Sequence, residues 1–137
     1  MGNQSSVKKI NYEDVTYIIK QRNFLLINTL HVNNQQCLIP NTINIADEVR
    51  IINDNMNNLS INIVIYGDNC NCENIYKKYS QLLGLGFHNA YVYTGGLFEW
   101  LCLQDIYGND LFPTTSRELD ILKYKPKSLL MTLAVSI

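Results

Sequence analysis

A strand, a polar loop and a helix follow one another in residues 61–84, and this succession constrains the fold more than any other feature. The run INIVIY (61–66) contains five β-branched or aromatic residues, which favours a buried strand. The loop GDNCNC (67–72) comes next, and apolar residues between Ile75 and Leu83 then recur at helical spacing. In an α/β fold, a loop that joins a buried strand to a helix is a usual place for a functional site.

Other segments continue this alternation of strands and helices. Further strands are predicted at FLLIN (24–28) and AYVY (90–93), and LIPNTINI (38–45) is predicted to hold a turn and a short strand. Helices are predicted after an Asn11 N-cap, over ADEVRIINDNM, over LFEWLCLQDIY and after a capping box at Thr115 and Glu118. We therefore predict a three-layer α/β domain with a central, mostly parallel sheet of about five strands and helices on both faces. The 67–72 loop should lie at the carboxyl edge of that sheet.

Length and charge exclude several classes of protein. A chain of 137 residues forms one domain, which we expect at residues 10–125, between a flexible N-terminal segment (1–9) and a C-terminal tail (126–137). The formal net charge is −1, and no contiguous run of lysine and arginine is longer than a pair, so nucleic acid is not an expected partner.

The four cysteines and the N-terminus indicate the compartment. Four irregularly spaced cysteines do not make a disulfide framework, and no signal-peptide pattern precedes them. We therefore expect a cytoplasmic rather than a secreted protein. The first six residues, MGNQSS, match the N-myristoylation pattern with Gly2 as acceptor, although an ordinary polar terminus is the alternative. One acyl chain would give only weak, reversible attachment to a membrane.

Three segments in chain order resemble a rhodanese-like domain over residues 10–107. The most specific is LGLGFHNAYVYTGGLFEW (83–100), which contains the Gly-Gly-x-x-x-Trp pattern of that family, and IPNTINI (39–45) is similar to its IPGAxNIP-like segment. The resemblance implies that the 67–72 loop corresponds to the active-site loop. In the family a cysteine at the start of this loop becomes a persulfide and carries one sulfur atom between donor and acceptor.

The sequence departs from the family pattern at this loop. Gly67 stands where the resemblance implies the catalytic cysteine, and the loop is about two residues longer than the common one. Asn28 and Leu30 replace the Asp and Arg of the family's Asp-Val-Arg triplet. The loop also lacks arginine, which argues against the phosphatase relatives because they need a guanidinium on the transferred phosphoryl group.

Two cysteines are candidates for a displaced nucleophile. Cys70 lies in the middle of the loop and is the stronger candidate, whereas Cys72 is expected to be taken up by the first helical turn. The loop residues Asp68, Asn69 and Asn71 complete the predicted site. Asp68 and the helix residue Glu73 should weaken any anion binding there.

The leading interpretation is a degenerate rhodanese-like module that acts in binding or regulation, with a protein partner that the sequence does not identify. The alternative is an active thiosulfate or persulfide sulfurtransferase that uses Cys70 and a small sulfur donor and acceptor. We expect no cofactor. A metal site from Cys70, Cys72, Cys102 and His88 is disfavoured because C-x-C matches zinc spacing poorly and Cys102 lies among apolar residues.

Overall fold

The computed structural model describes residues 7–131, which form a sheet of four parallel strands. The strands are β1 (Lys9–Ile10), β2 (Phe24–Asn28), β3 (Asn62–Tyr66) and β4 (Ala90–Tyr93), in the order β1-β4-β3-β2. β3 pairs with β2 on one side and β4 on the other, so the 67–72 loop leaves the interior of the sheet at its carboxyl edge, as predicted. Gly2 and the last six residues of the predicted tail lie outside the described residues.

Helices cover both faces of the sheet and give the three predicted layers. They are α1 (Tyr12–Ile18), α2 (Glu48–Asp54), α3 (Glu73–Gly84) and α4 (Gly96–Tyr107), with short 3-10 turns at Val32–Asn34 and Ile121–Tyr124. Successive strand residues point to opposite faces, which divides the core into two clusters. Within residues 7–131, no helix combines the length and the apolar character that a bilayer span requires.

Each face has its own pair of helices. On the first face Val15 of α1 and Trp100 of α4 share a buried cluster with Val64. On the second face Ile52 of α2 and Ile75 of α3 share a cluster with Ile63 and Ile65. The strands are therefore apolar on both sides, as a sheet enclosed by helices requires.

The predicted N-terminus of α1 is confirmed in detail. The Asn11 side chain accepts a hydrogen bond from the Asp14 N–H at 3.0 Å, and the Asp14 carboxylate accepts one from the Asn11 N–H at 3.2 Å. This reciprocal pair is a capping box, which satisfies two N–H groups that the helix leaves without a partner.

The predicted strand within 38–45 is wrong, and the described residues contain four strands rather than about five. Pro40 lacks an N–H group and Asn41 adopts a positive φ of 71°, so the backbone turns instead of extending. Only one bridge remains, between Thr42 and Leu26. The two-residue strand β1 was not predicted, because a segment this short carries no strand pattern and is defined by its pairing with β4.

The capping box predicted at Thr115 and Glu118 is also wrong, and the helix predicted after it is reduced to the 3-10 turn at Ile121–Tyr124. The Thr115 hydroxyl accepts a hydrogen bond from the Leu38 N–H at 3.0 Å and donates one to the Gln36 carbonyl at 2.9 Å. These tertiary bonds replace the local cap that the pattern suggested. Glu118 instead pairs with Lys123 at 3.0 Å.

Candidate functional site

Backbone N–H groups at the N-terminus of α4 donate hydrogen bonds to the 67–72 loop. The Leu97 N–H donates to the Gly67 carbonyl and the Phe98 N–H donates to the Asp68 carbonyl, both at 2.9 Å. Gly96 makes this approach possible, because it has a φ of +65° and a Cβ at this position would lie 2.7 Å from the Gly67 carbonyl oxygen. The Gly-Gly turn at the start of α4 therefore fixes the shape of the loop.

Gly67 has no room for a side chain. A Cβ built on it would lie 2.7 Å from Thr29 Oγ1 and 3.0 Å from Cγ1 of Ile75, and Ile75 is fully buried. The Thr29 side chain is fixed in this position, because its hydroxyl donates a hydrogen bond to the Tyr66 carbonyl at 3.2 Å. The position after β3 is thus closed to a cysteine unless the residues around it move.

Asn69 organises the interior of the loop. It is 8% exposed, and its Oδ1 accepts the Asn71 N–H at 2.9 Å while its carbonyl accepts the Cys72 N–H at 3.3 Å. Its Nδ2 donates to the carbonyl of Tyr124 at 2.8 Å. Two N–H groups that could face an anion therefore bond to Asn69 instead.

The two candidate cysteines lie in different surroundings. Cys70 is exposed, and its thiol donates to Asn71 Oδ1 at 3.6 Å. Cys72 is half-buried at the N-cap position of α3, with its sulfur 3.9 Å from Thr29 Oγ1. Cys72 lines a cleft beside the loop, whereas Cys70 does not.

This cleft has a volume of about 700 Å³ and separates residues 68–74 from residues 122–127. We call it the lysine cleft, because Lys123, Lys125 and Lys127 line its second wall. Sequence reasoning missed these lysines, since they lie about 50 residues from the loop and partly in the predicted tail. The Asn69 to Tyr124 hydrogen bond brings the two segments together.

The triplet positions of the family pattern are occupied by an amide and an apolar group. Asn28 is 3% exposed, and its side chain forms two hydrogen bonds with Gln35, at 2.8 and 3.1 Å. Leu30 is buried in the first core cluster. The charge pair that the family pattern places here is thus replaced by a neutral amide pair and by core packing.

Asp68 has a carboxyl oxygen, Oδ1, that is buried and has no hydrogen-bond partner among the described residues. Burial raises the pKa of the Asp68 carboxyl, and an electrostatic interaction with His31 partly opposes that rise. The folded state consequently holds this proton more tightly than the unfolded state. Stability from this group is present at low pH and is lost as pH rises from the unfolded value toward the folded pKa.

Replacing Asp68 with asparagine should therefore stabilise the protein at pH 7 by about 1 kcal/mol, since it removes a poorly solvated charge that is still partly exposed to solvent. The difference from the parent should shrink as pH falls through the raised pKa of the folded Asp68 carboxyl, because the folded aspartate takes up its proton there. Urea unfolding at several pH values measures both effects. Asp110→Asn, at an exposed position, is the control, and an equal gain in both variants would contradict this account of Asp68.

Two further cysteines lie away from the loop. Cys37 is 4% exposed, and burial raises the pKa of its thiol, with a hydrogen bond to Thr114 as a smaller opposing effect. Burial also raises the pKa of Cys102, and the carboxylates of Asp105 and Glu99 add to the rise. Both thiols should therefore react slowly at neutral pH, and faster as pH increases.

Iodoacetamide labelling followed by mass spectrometry tests this order. Cys37 should label at least about tenfold more slowly than Cys70 at pH 7, because its sulfur is reached only after local opening. Cys70 should label no faster than an unfolded peptide, because its thiol is exposed and donates a hydrogen bond to Asn71 Oδ1. Labelling of Cys70 well above the peptide rate would favour a stabilised thiolate and hence the sulfurtransferase interpretation.

Comparisons with known proteins agree with this fold. The solution structure of a rhodanese-like domain from Anabaena sp. matches with a TM-score of 0.58 and 19% identity, over 90% of this chain and 88% of that chain. A yeast protein tyrosine phosphatase of the rhodanese family matches with a TM-score of 0.59 and 13% identity, over 85% of this chain and 97% of that chain. At these identities the likeness concerns the fold alone.

Sequence comparison identifies the family. No curated protein matches this sequence significantly. The profile of the rhodanese-like domain matches residues 12–102, which include β2, β3, β4 and the 67–72 loop. The chain therefore belongs to the rhodanese-like domain family.

Proposed function

We propose that this protein is a rhodanese-like module that acts in binding or regulation and does not turn over a sulfur-transfer reaction. The observation that carries the proposal is the closed position at Gly67, where a Cβ would lie 2.7 Å from Thr29 Oγ1. The family chemistry needs a thiolate at that point. Here the space that the thiolate would need is filled by Thr29 and by Ile75 of α3.

The hydrogen bonds of the loop support the same proposal. Stabilising a thiolate or persulfide requires N–H groups that point into the loop and remain available. The N–H groups of Asn71 and Cys72 are instead bonded to Asn69. The loop therefore has fewer free N–H groups with which to stabilise a sulfur anion.

The alternative is sulfur transfer through Cys70, which its exposure favours. In that reaction the Cys70 thiolate attacks the outer sulfur of thiosulfate, an S–S bond forms and sulfite leaves. Cyanide then takes the sulfur as thiocyanate and the thiolate is regenerated. Nothing in this sequence of steps requires a cofactor.

Thiocyanate formation from thiosulfate and cyanide separates the two functions. We expect the parent protein and the variants Cys70→Ser and Cys72→Ser to produce thiocyanate no faster than buffer. A rate above buffer that disappears in Cys70→Ser alone would establish the alternative. A rate that disappears in Cys72→Ser alone would also overturn the proposal and place the activity at the start of α3.

We place the protein in the cytoplasm, with weak and reversible membrane attachment through an acyl chain on Gly2. The MGNQSS pattern supports this placement. Co-expression with an N-myristoyltransferase should add one acyl group to the parent protein and none to Gly2→Ala. Absence of the acyl group from the parent would remove the membrane part of the proposal.

A further inference from the structure

Two of the three lysines on the second wall of the lysine cleft form no ion pair with a described residue. The Lys123 ammonium already has partners, because it pairs with Glu118 at 3.0 Å and lies over the Tyr124 ring at 5.5 Å. Lys125 and Lys127 are exposed and form no ion pair with any described residue. Two ammonium groups are therefore available to a bound molecule.

This wall is held in place rather than attached by a loose tail. The Tyr124 side chain is 1% exposed and belongs to the first core cluster. Its carbonyl accepts the Asn69 Nδ2 hydrogen bond at 2.8 Å, which joins the wall to the loop. Pro126 restricts the backbone between the two lysines. The backbone that carries Lys125 is thus anchored to the loop through its neighbour Tyr124.

The opposite wall presents amide groups. Asn71 and Asn74 line it and are exposed, and the Asn74 side chain makes no hydrogen bond to the described residues. An amide can both donate to a peptide carbonyl and accept from a peptide N–H. Asp68 and Glu73 also lie on this wall. Because their carboxylates repel negative charge, the acidic groups of a bound molecule must face the lysines.

We infer that the lysine cleft binds an extended acidic peptide segment of a partner protein, with its carboxylates on Lys125 and Lys127 and its backbone on the asparagine wall. The volume of about 700 Å³ lies within the range of sites that hold molecules larger than a single small anion. Charge complementarity with two unpaired lysines selects an acidic segment. The inference rests on the proposed binding function, because it makes the cleft a recognition site rather than an entrance for thiosulfate.

The test titrates the 15N-labelled protein with an end-blocked hexapeptide of glutamate and aspartate and follows the backbone amide signals. We expect saturable shifts confined to residues 68–74 and 122–127, with a Kd below about 1 mM that rises with salt. The double variant Lys125→Glu with Lys127→Glu should weaken binding at least about tenfold, and Lys125→Gln with Lys127→Gln should weaken it less. The glutamine variants also keep the test usable if the charge reversal disturbs folding.

The matched control is Lys20→Glu with Arg22→Glu, which makes the same charge change at exposed positions before β2, at the opposite edge of the sheet. It should change Kd less than about twofold, because the substituted groups lie at the amino ends of the strands and do not line the cleft. Equal weakening in both double variants, or equal binding of a glutamine and asparagine hexapeptide, would overturn the inference. Inorganic phosphate that produces the same shifts at the same concentration would replace it with a small-anion site.

These outcomes are separate from those of the thiocyanate measurement. No peptide binding together with no thiocyanate would overturn the peptide inference and leave the non-catalytic proposal in place. Thiocyanate formation through Cys70 together with peptide binding would overturn the proposed function and leave the cleft as a recognition surface.

Discussion

Replacing Gly96 with alanine should lower the free energy of unfolding by about 3 kcal/mol and the Tm by roughly 10 °C. Two costs combine at this residue. Its φ of +65° disfavours any residue with a Cβ, and the added carbon would lie 2.7 Å from the Gly67 carbonyl and 2.8 Å from the Asp68 carbonyl. These are backbone atoms, so neither can move away without disturbing the loop.

Gly84→Ala is the matched control for this substitution. Gly84 ends α3, has no positive φ, and a Cβ there would meet no atom within 4 Å. Alanine should leave stability unchanged or raise it by up to about 1 kcal/mol. Denaturant unfolding of both variants measures the contrast, and a Gly96→Ala protein as stable as the parent would mean that α4 does not hold the loop as described.

The second large effect is expected at Gly67. Alanine there should cost about 2 kcal/mol, because its Cβ overpacks against Thr29 Oγ1 and the buried Ile75 side chain. Cysteine, which restores the residue of the family pattern, should cost more and should not restore sulfur transfer. The free energy of unfolding of Gly67→Ala and the thiocyanate rate of Gly67→Cys measure the two consequences.

A double-mutant cycle identifies the cause of the loss at Gly67. Thr29→Ala removes the nearest atom and also loses the hydroxyl bond to the Tyr66 carbonyl. In that background Gly67→Ala should cost about 1 kcal/mol less than in the parent, which is a coupling expected for residues in contact. Additive losses would show that Thr29 does not close the position, and the central observation behind the proposed function would fail.

Much of the fold could be predicted because its signals are local. The β-branched run of β3, the apolar spacing of α3 and the Asn11 N-cap each depend on residues close in sequence, and each is confirmed. The local pattern fails to predict the structure where tertiary contacts override it. Thr115 bonds to residues 36 and 38 instead of capping a helix, and β1 exists only through its pairing with β4.

The site could be predicted only in part, for the same reason. The position of the loop is predictable because it follows β3, and the sequence itself shows glycine instead of cysteine at position 67. The packing that closes that position comes from Thr29, which lies far earlier in the chain. The lysine cleft depends on a hydrogen bond between Asn69 and Tyr124, two residues that carry no sequence signal for their contact.

Direct detection of a persulfide tests the central claim that this loop has lost its sulfur chemistry. The protein is incubated with thiosulfate, alkylated under non-reducing conditions and digested, and each of the four cysteines is examined by mass spectrometry for one added sulfur atom. The parent protein should carry no thiosulfate-dependent persulfide at Cys37, Cys70, Cys72 or Cys102. A persulfide on Cys70 that cyanide removes would contradict the account and identify an active sulfurtransferase.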